Sequence, residues 1–155
     1  MQLDSIDRKL LGLLQDDADL PLARLADAVG LTATSCWRRV QRLRQSGVIR
    51  RRVALLDASR VNVGVTVFVS LRTRDHSPAS FARLKAHVEQ IPEIVEFYRM
   101  SGDVDYLLRV VVPDIAAYDA VYKRLIADGG LADVSSSFAM EQIKYTTALP
   151  LLYAA

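Results

Sequence analysis

Two short stretches of this 155-residue chain hold residues whose types and spacing could do chemistry. The first, CWRRVQRLRQSGVIRRR at residues 36–52, carries seven arginines (Arg38, Arg39, Arg42, Arg44, Arg50, Arg51 and Arg52) and no acidic residue to pair them. Guanidinium groups donate in pairs to phosphate and to guanine edges, glutamine suits adenine, and Ser or Thr hydroxyls suit phosphate. The second stretch, MSGDVDY at residues 100–106, has a glycine that permits a sharp turn with exposed N–H groups, and two carboxylates, Asp103 and Asp105. Together they offer N–H donors to an anionic group and negative acceptors to a cationic one. A plain hairpin turn, which Gly and Asp favour in any case, accounts for Gly102 and Asp103 as well. Ser135, Ser136 and Ser137, on a segment expected near this turn, could add hydroxyls, and Tyr106 is either core or contact.

The elements that must position the arginines read as three short helices. Asp4 can cap a helix to about Gln15, with Ile6, Leu10, Leu13 and Leu14 on one side. Pro21 suits the first turn of a second helix that presents Leu22, Leu25, Ala26 and Val29 and stops at Gly30. Thr32 can cap a third helix running to about Ser46, where Gly47 ends it. Helix, short glycine-containing turn and helix in this order form a helix-turn-helix pattern. At about 100° per residue, Cys36, Val40 and Leu43 line the inward stripe of the third helix. Opposite them fall Thr34, Arg38, Gln41, Arg42 and Gln45, flanked by Trp37 and Arg39. A face built for solubility would mix in acids; this one favours double-stranded DNA as partner. Trp37 either supports helix packing or touches the DNA. Beyond Gly47, Val48, Ile49, Val53 and Leu55 suggest a short extended segment, a wing that sets Arg50, Arg51 and Arg52 beside a phosphate backbone.

The second half has a different rhythm. VTVFVSL alternates as a strand, with Val65, Val67, Val69 and Leu71 on one face. Phe81, Leu84, Val88 and Ile91 recur at helical spacing; EIVEFYRM and DYLLRVVV are strands joined by the tight SGDV. A second helix turns Ile115, Tyr118, Tyr122 and Leu125 inward, capped by Asp114 and stopped by Gly129 and Gly130. LADVSSSFAMEQIKYTTAL reads as a long final strand region. The order β-α-β-β-α-β is a ferredoxin-like arrangement, so the fold class is α+β: a three-helix winged helix-turn-helix domain followed by a four-stranded sheet with helices on one face. The other face carries apolar and aromatic residues and is expected to meet a second subunit, making a homodimer the minimum.

Composition narrows the class. Residues 1–60 hold eleven Lys and Arg against seven Asp and Glu (net +4), and residues 61–155 hold nine against eleven (net −2). The lone Cys36 excludes an intrachain disulfide and, on the inward stripe, reads as a buried inert thiol; a cytoplasmic setting is expected. No signal peptide is read at the N-terminus, and the longest apolar run is too short to span a bilayer, so no membrane partner is expected. His76 and His87 are isolated, no metal-ligand spacing occurs, and Gly129-Gly130 lacks the lysine of a phosphate loop. Neither a cofactor nor a metal is expected, and no nucleophile–base pair stands out.

The stretch LDSIDRKLLGLLQDDADLPLARLADAVGLTATSCWRRVQRLRQSGVI resembles the DNA-binding region of the Lrp/AsnC (leucine-responsive/asparagine-regulator, feast/famine) transcription factors of bacteria and archaea. Its signature elements are LADAVGLT, then RVQRL and GVI; SGDVDYLLRVVVPDIAAYD resembles the family's effector-domain hallmark, and IKYTTALPL its closing strand. The match spans essentially the whole chain. One departure is the absence of a proline after Thr32, which a first turn does not require.

The resemblance implies a DNA-binding domain over residues 1–56, a hinge over 57–63, and an effector-binding and oligomerisation domain over 64–155. It implies that Thr34, Ser35, Trp37, Arg38, Gln41 and Arg42 approach DNA, with Arg50 and Arg51 on the backbone. It places a small effector, an amino acid or related metabolite, at Met100, Ser101, Gly102, Asp103, Val104 and Asp105 with Ser135 and Ser137. It further implies dimers assembling into octamers, in the cytoplasm and associated with the nucleoid. Three functions follow in order: an effector-responsive, sequence-specific regulator; an architectural DNA-wrapping protein; and a tetrapyrrole decarboxylase of similar layout, which would need an eroded basic face and a histidine-equipped cavity.

Overall fold

The computed structural model describes residues 2–154 and divides into two compact units, Met1–Ala54 with Lys144–Ala155, and Leu55–Ile143. In the first unit, α1 (Ser5–Asp16), α2 (Leu22–Val29) and α3 (Ala33–Gln45) pack around Leu10, Leu25, Ala26, Cys36 and Val40, all buried. Asp4 caps α1 in a reciprocal box: its side chain accepts the Asp7 N–H, while the Asp7 carboxylate accepts the Asp4 N–H. Gly30 ends α2 at φ 68°, ψ 37°, a left-handed conformation that an L side chain takes up only at a cost, and its N–H returns to the carbonyls of Ala26 and Asp27. The Thr32 hydroxyl oxygen accepts the Ser35 N–H and starts α3. The α2–turn–α3 pair is thus the expected helix-turn-helix, with Pro21 at the N-cap of α2 and the helix proper beginning one residue later.

Leu55–Ile143 contains β1 (Val65–Thr73), α4 (Pro78–Glu89), β2 (Ile94–Arg99), β3 (Tyr106–Val112), α5 (Ile115–Ile126) and β4 (Leu131–Phe138). The antiparallel sheet has the order β2-β3-β1-β4, the ferredoxin-like topology. Alternation in β1 sends Val67, Val69 and Leu71 into the core with Leu84, Val88, Ile91, Leu108, Val110, Val112, Tyr118, Val121 and Leu125. Cross-strand pairing puts Phe68, Ser70, Arg109, Leu107, Ser135 and Ser137 on the opposite, uncovered face. Two apolar residues at helical spacing lie elsewhere than expected. Ile115, the first residue of α5, is exposed and Val121 fills the core instead; Phe81 is partly exposed, stacked on Tyr106 with ring centroids 5.9 Å apart.

Two expectations require correction. β4 ends at Phe138, and residues 139–150 form neither helix nor strand. Residues 50–57 likewise carry no strand, so the expected wing is an irregular arm. The expected hinge, residues 57–63, is a folded turn: the Asp57 carboxylate accepts the N–H groups of Ser59 and Arg60, and the Val63 N–H donates to the Ala58 carbonyl. The last segment, expected in the effector domain, makes hydrogen bonds to α1. Gln15 exchanges two hydrogen bonds with the Leu149 backbone, and Arg8 donates to the Ala154 carbonyl at 2.9 Å. Among the described residues no helix is long and apolar enough to cross a membrane, and no group of three metal-ligating side chains forms.

Candidate nucleic-acid interface and effector loop

On α3 the buried stripe is Cys36, Val40 and Leu43, as the periodicity predicts. Desolvation raises the Cys36 thiol above its ordinary value, which keeps it protonated and unreactive. Thr34, Ser35, Trp37, Arg38, Arg42, Arg44 and Gln45 are exposed and Gln41 is half-buried, so the side chains singled out from the sequence lie together on the open side of one helix. Trp37, half exposed, is not part of the packing between helices. Arg38, Arg44, Arg50, Arg51 and Arg52 carry no ion pair among the described residues.

The expectation that this cationic stretch has no carboxylate partner is corrected by α1. Arg39 donates to Asp4 at 2.6 Å and to Asp7 at 2.9 Å, and Arg42 donates to Asp7 at 2.6 Å. These acids lie 32 to 35 residues away in sequence, which is why a reading confined to the arginine stretch misses them. The Asp7 N–H, and after it the Arg39 guanidinium, hold the Asp4 carboxyl below its ordinary value. Arg39 is correspondingly raised, first by Asp4 and then by Asp7.

The Ser101–Asp105 loop joins β2 to β3. Gly102 sits at φ 107°, and a Cβ built there meets no neighbour, so the backbone conformation alone calls for glycine. Ser101, Gly102 and Asp103 are exposed, Met100 is partly so, and Val104 is half-buried. Asp105 is already engaged. Its carboxylate accepts the Thr73 N–H at 2.7 Å and the Thr73 hydroxyl at 3.3 Å, and lies 3.7 Å from His76 Nδ1. Its own N–H donates to the Leu71 carbonyl, and its carbonyl accepts from Met100, which pins the loop to β1. The Thr73 N–H, then the charge of His76, the Thr73 hydroxyl and Arg72 hold the Asp105 carboxyl below the usual range. Thr73 and His76 are therefore members of this cluster that the sequence reading passed over. The only signal for them is position, at the end of the strand that pairs with β3.

Ser137 does not join the loop. β4 is separated from β3 by β1, and Ser135 and Ser137 stand opposite Ser70 and Phe68. At about 3.4 Å per residue along β1 and about 4.8 Å per strand, Ser137 is on the order of 10 Å from the loop's anchor at Leu71. Ser136 points to the helix side and hydrogen-bonds the Tyr118 hydroxyl. Tyr106 is buried core, packed against Phe81 and Phe97.

On the uncovered face of the sheet, Phe68 and Tyr98 are exposed beside half-buried Leu107 and Val111. Arg109 grips Glu96 through Nε at 2.7 Å and Nη2 at 2.6 Å, and the Tyr98 hydroxyl donates to Glu96 at 2.9 Å. Arg109 accordingly lowers the Glu96 carboxyl, and Glu96 raises the Tyr98 phenol.

Known proteins match both halves of this architecture. The AsnC-type helix-turn-helix domain matches residues 3–44, and the Lrp/AsnC ligand binding domain matches residues 66–149. The DNA-binding transcriptional activator DecR of Escherichia coli (strain K12) is 52% identical over 150 residues, covering 96% of this chain and 99% of that protein. An AsnC family transcriptional regulator from Agrobacterium tumefaciens has 63% identity and a TM-score of 0.95, covering 99% of this chain and 100% of that one. A transcriptional regulator of Neisseria meningitidis solved as an L-Met complex has 33% identity and a TM-score of 0.93, covering 97% and 98%. With a helix-turn-helix, a ferredoxin-like domain and relatives of full length, this chain belongs to the Lrp/AsnC family, a DNA-binding transcriptional regulator and not an enzyme.

Proposed function

We propose that the chain binds DNA with sequence preference and changes that binding when a small effector of the amino-acid class occupies the loop around Gly102. The observation that carries the DNA half is the open face of α3. Thr34, Ser35, Arg38, Gln41 and Arg42 share it, and among the described residues Arg38 has no carboxylate partner. An arginine fork, an amide and hydroxyls on the second helix of a helix-turn-helix fit base edges and phosphates. Arg50 and Arg51, on the exposed arm that follows, fit the phosphate backbone, which positions without selecting.

For the effector, support comes from the loop itself and from the Neisseria relative, whose complex holds L-Met. Ser101–Asp103 presents backbone N–H groups and the Asp103 carboxylate to solvent, whereas Asp105 serves as the brace that holds the loop on β1. Ser137 would belong to such a site only through a different subunit, because within one chain it stands away from the loop, whereas Ser135 pairs with Ser70, one residue from Leu71. A homodimer through the uncovered sheet face, assembling further toward an octamer, would supply that subunit. The apolar residues exposed on that face, and Met140 and Ile143 at 95% and 90% exposure beyond β4, are what such an assembly would cover. We place this regulator in the cytoplasm, on the nucleoid.

The test is fluorescence anisotropy on a duplex from the protein's own upstream region against a scrambled duplex, over a salt series, with and without a mixed amino-acid pool. A preference of roughly a thousandfold or more that shifts with the pool is the expected result. Steeply salt-dependent binding without preference would replace the reading with an architectural, DNA-wrapping one. No change with the pool would remove the amino-acid effector.

A further inference from the structure

The carboxylate of Asp7 is fully excluded from solvent, a costly place for a charge unless it is paired and hydrogen-bonded throughout. Its partners are Arg39 at 2.9 Å, Arg42 at 2.6 Å and the Asp4 N–H at 3.3 Å. Closing a capping box requires only the last of these. The two arginines are a further arrangement: one acid on α1 holds two neighbouring side chains, three positions apart, on α3.

The arginines are not equivalent. Arg39 lies about 60° further round the helix toward the buried stripe than Arg42. It is 26% exposed and bridges both Asp4 and Asp7, so its donors are directed inward. Arg42 is 51% exposed and commits one terminal nitrogen to Asp7. The remaining N–H groups of its planar fork carry no intrachain hydrogen bond among the described residues, and the side chain emerges on the face of Arg38 and Gln41. A free arginine loses rotamer entropy when it engages a ligand; one already clamped has lost that freedom on folding.

We infer that Asp7 is a positioning residue for DNA recognition: it clamps Arg42 so that the free edge of its guanidinium is held ready for a base edge or a phosphate, with Arg39 as the strut between α1 and α3. This rests on the reading of α3 as the DNA-contacting face. It differs from bulk electrostatics in sign. Asp7 sets a negative charge beneath a cationic surface, so if charge alone mattered its removal would tighten binding to every duplex.

The experiment compares the full-length wild type with Asp7→Asn, Asp7→Glu and Arg42→Lys on the upstream and scrambled duplexes over a salt series, with helix content and melting followed by circular dichroism. Asp7→Asn is expected to weaken the upstream duplex by roughly ten- to a hundredfold, the scale of one charge-assisted contact, while the scrambled duplex binds unchanged or tighter. Asp7→Glu should restore part of the preference. Arg42→Lys keeps the charge and leaves Asp7 paired with Arg39, yet should lose the same preference at an unchanged salt slope, because an ammonium cannot serve a clamp and a planar target together. A preserved preference in folded Asp7→Asn, or equal tightening on both duplexes, overturns the inference. If Asp7→Asn does not fold, Arg42→Lys decides alone, and an undiminished preference overturns it. A wild type that does not discriminate between the duplexes would bring down the reading of the α3 face, and this inference with it.

Discussion

At the scale of single residues, the arginines of α3 divide into two kinds. Arg39 and Arg42 are bound into the fold by Asp4 and Asp7, whereas Arg38 is exposed and unpaired among the described residues. Arg38→Ala is therefore the clean probe of recognition. Stability should move by no more than about 0.5 kcal/mol, as for a surface substitution. Affinity for the upstream duplex should fall by about 1–3 kcal/mol, and unchanged anisotropy titrations would exclude Arg38 from the interface. The acids make a second prediction. Asp4 and Asp105 both sit below their ordinary carboxyl value in the folded chain, mainly because backbone N–H groups of Asp7 and Thr73 favour the charged form. Their contribution to stability is fully present above the unfolded-state value near 4 and is lost as pH falls through the lowered folded values. Melting temperature should hold between about pH 7 and 5 and drop below about pH 4. A drop confined to pH above 5 would contradict this.

At the scale of elements, caps and turns decide where helices begin and end. Asp4, Thr32, Ser77 and Asp114 each accept an N–H from the first turn of their helix. All four are residue types that signal a helix start, and the helices begin within a residue or so of the expected places. Gly30→Ala tests the turn between α2 and α3. No atom lies within 4 Å of the added Cβ, so the whole effect is the left-handed backbone conformation. The cost should be about 1–2 kcal/mol, seen as a lower melting temperature of the helical unit, and an unshifted transition would refute it. The end of β4 was not legible in this way. IKYTTAL alternates like a strand, but alternation describes an extended segment with two different faces. A ladder also needs a neighbouring edge, and within one chain these residues have none.

At the scale of the whole molecule, the uncovered sheet face and the exposed apolar residues beyond β4 are the surfaces on which the proposed assembly rests. Phe68 lies at the middle of that face, opposite Arg109 and Ser137. Phe68→Asp should leave secondary structure intact and lower the mass measured by light scattering to that of a monomer, since Arg109 opposite is already committed to Glu96 and the added charge would be buried without compensation. An unchanged mass would move the subunit contact elsewhere.

The periodicities were enough to determine the helix-turn-helix, the ferredoxin-like order of elements, the buried stripe of α3 and the grouping of the arginines opposite it. Each depends on spacing within one element, where neighbours in sequence are neighbours in space. Tertiary structure alone decided which arginines are free, which aspartate braces the loop, and where the serines stand. Asp7 meets Arg39 and Arg42 across more than thirty residues, and Asp105 meets Thr73 across 32. Ser137 is kept from the loop by the intervening β1. Such pairings follow from helix packing and strand order, which bring distant positions to one place and leave no trace in local spacing.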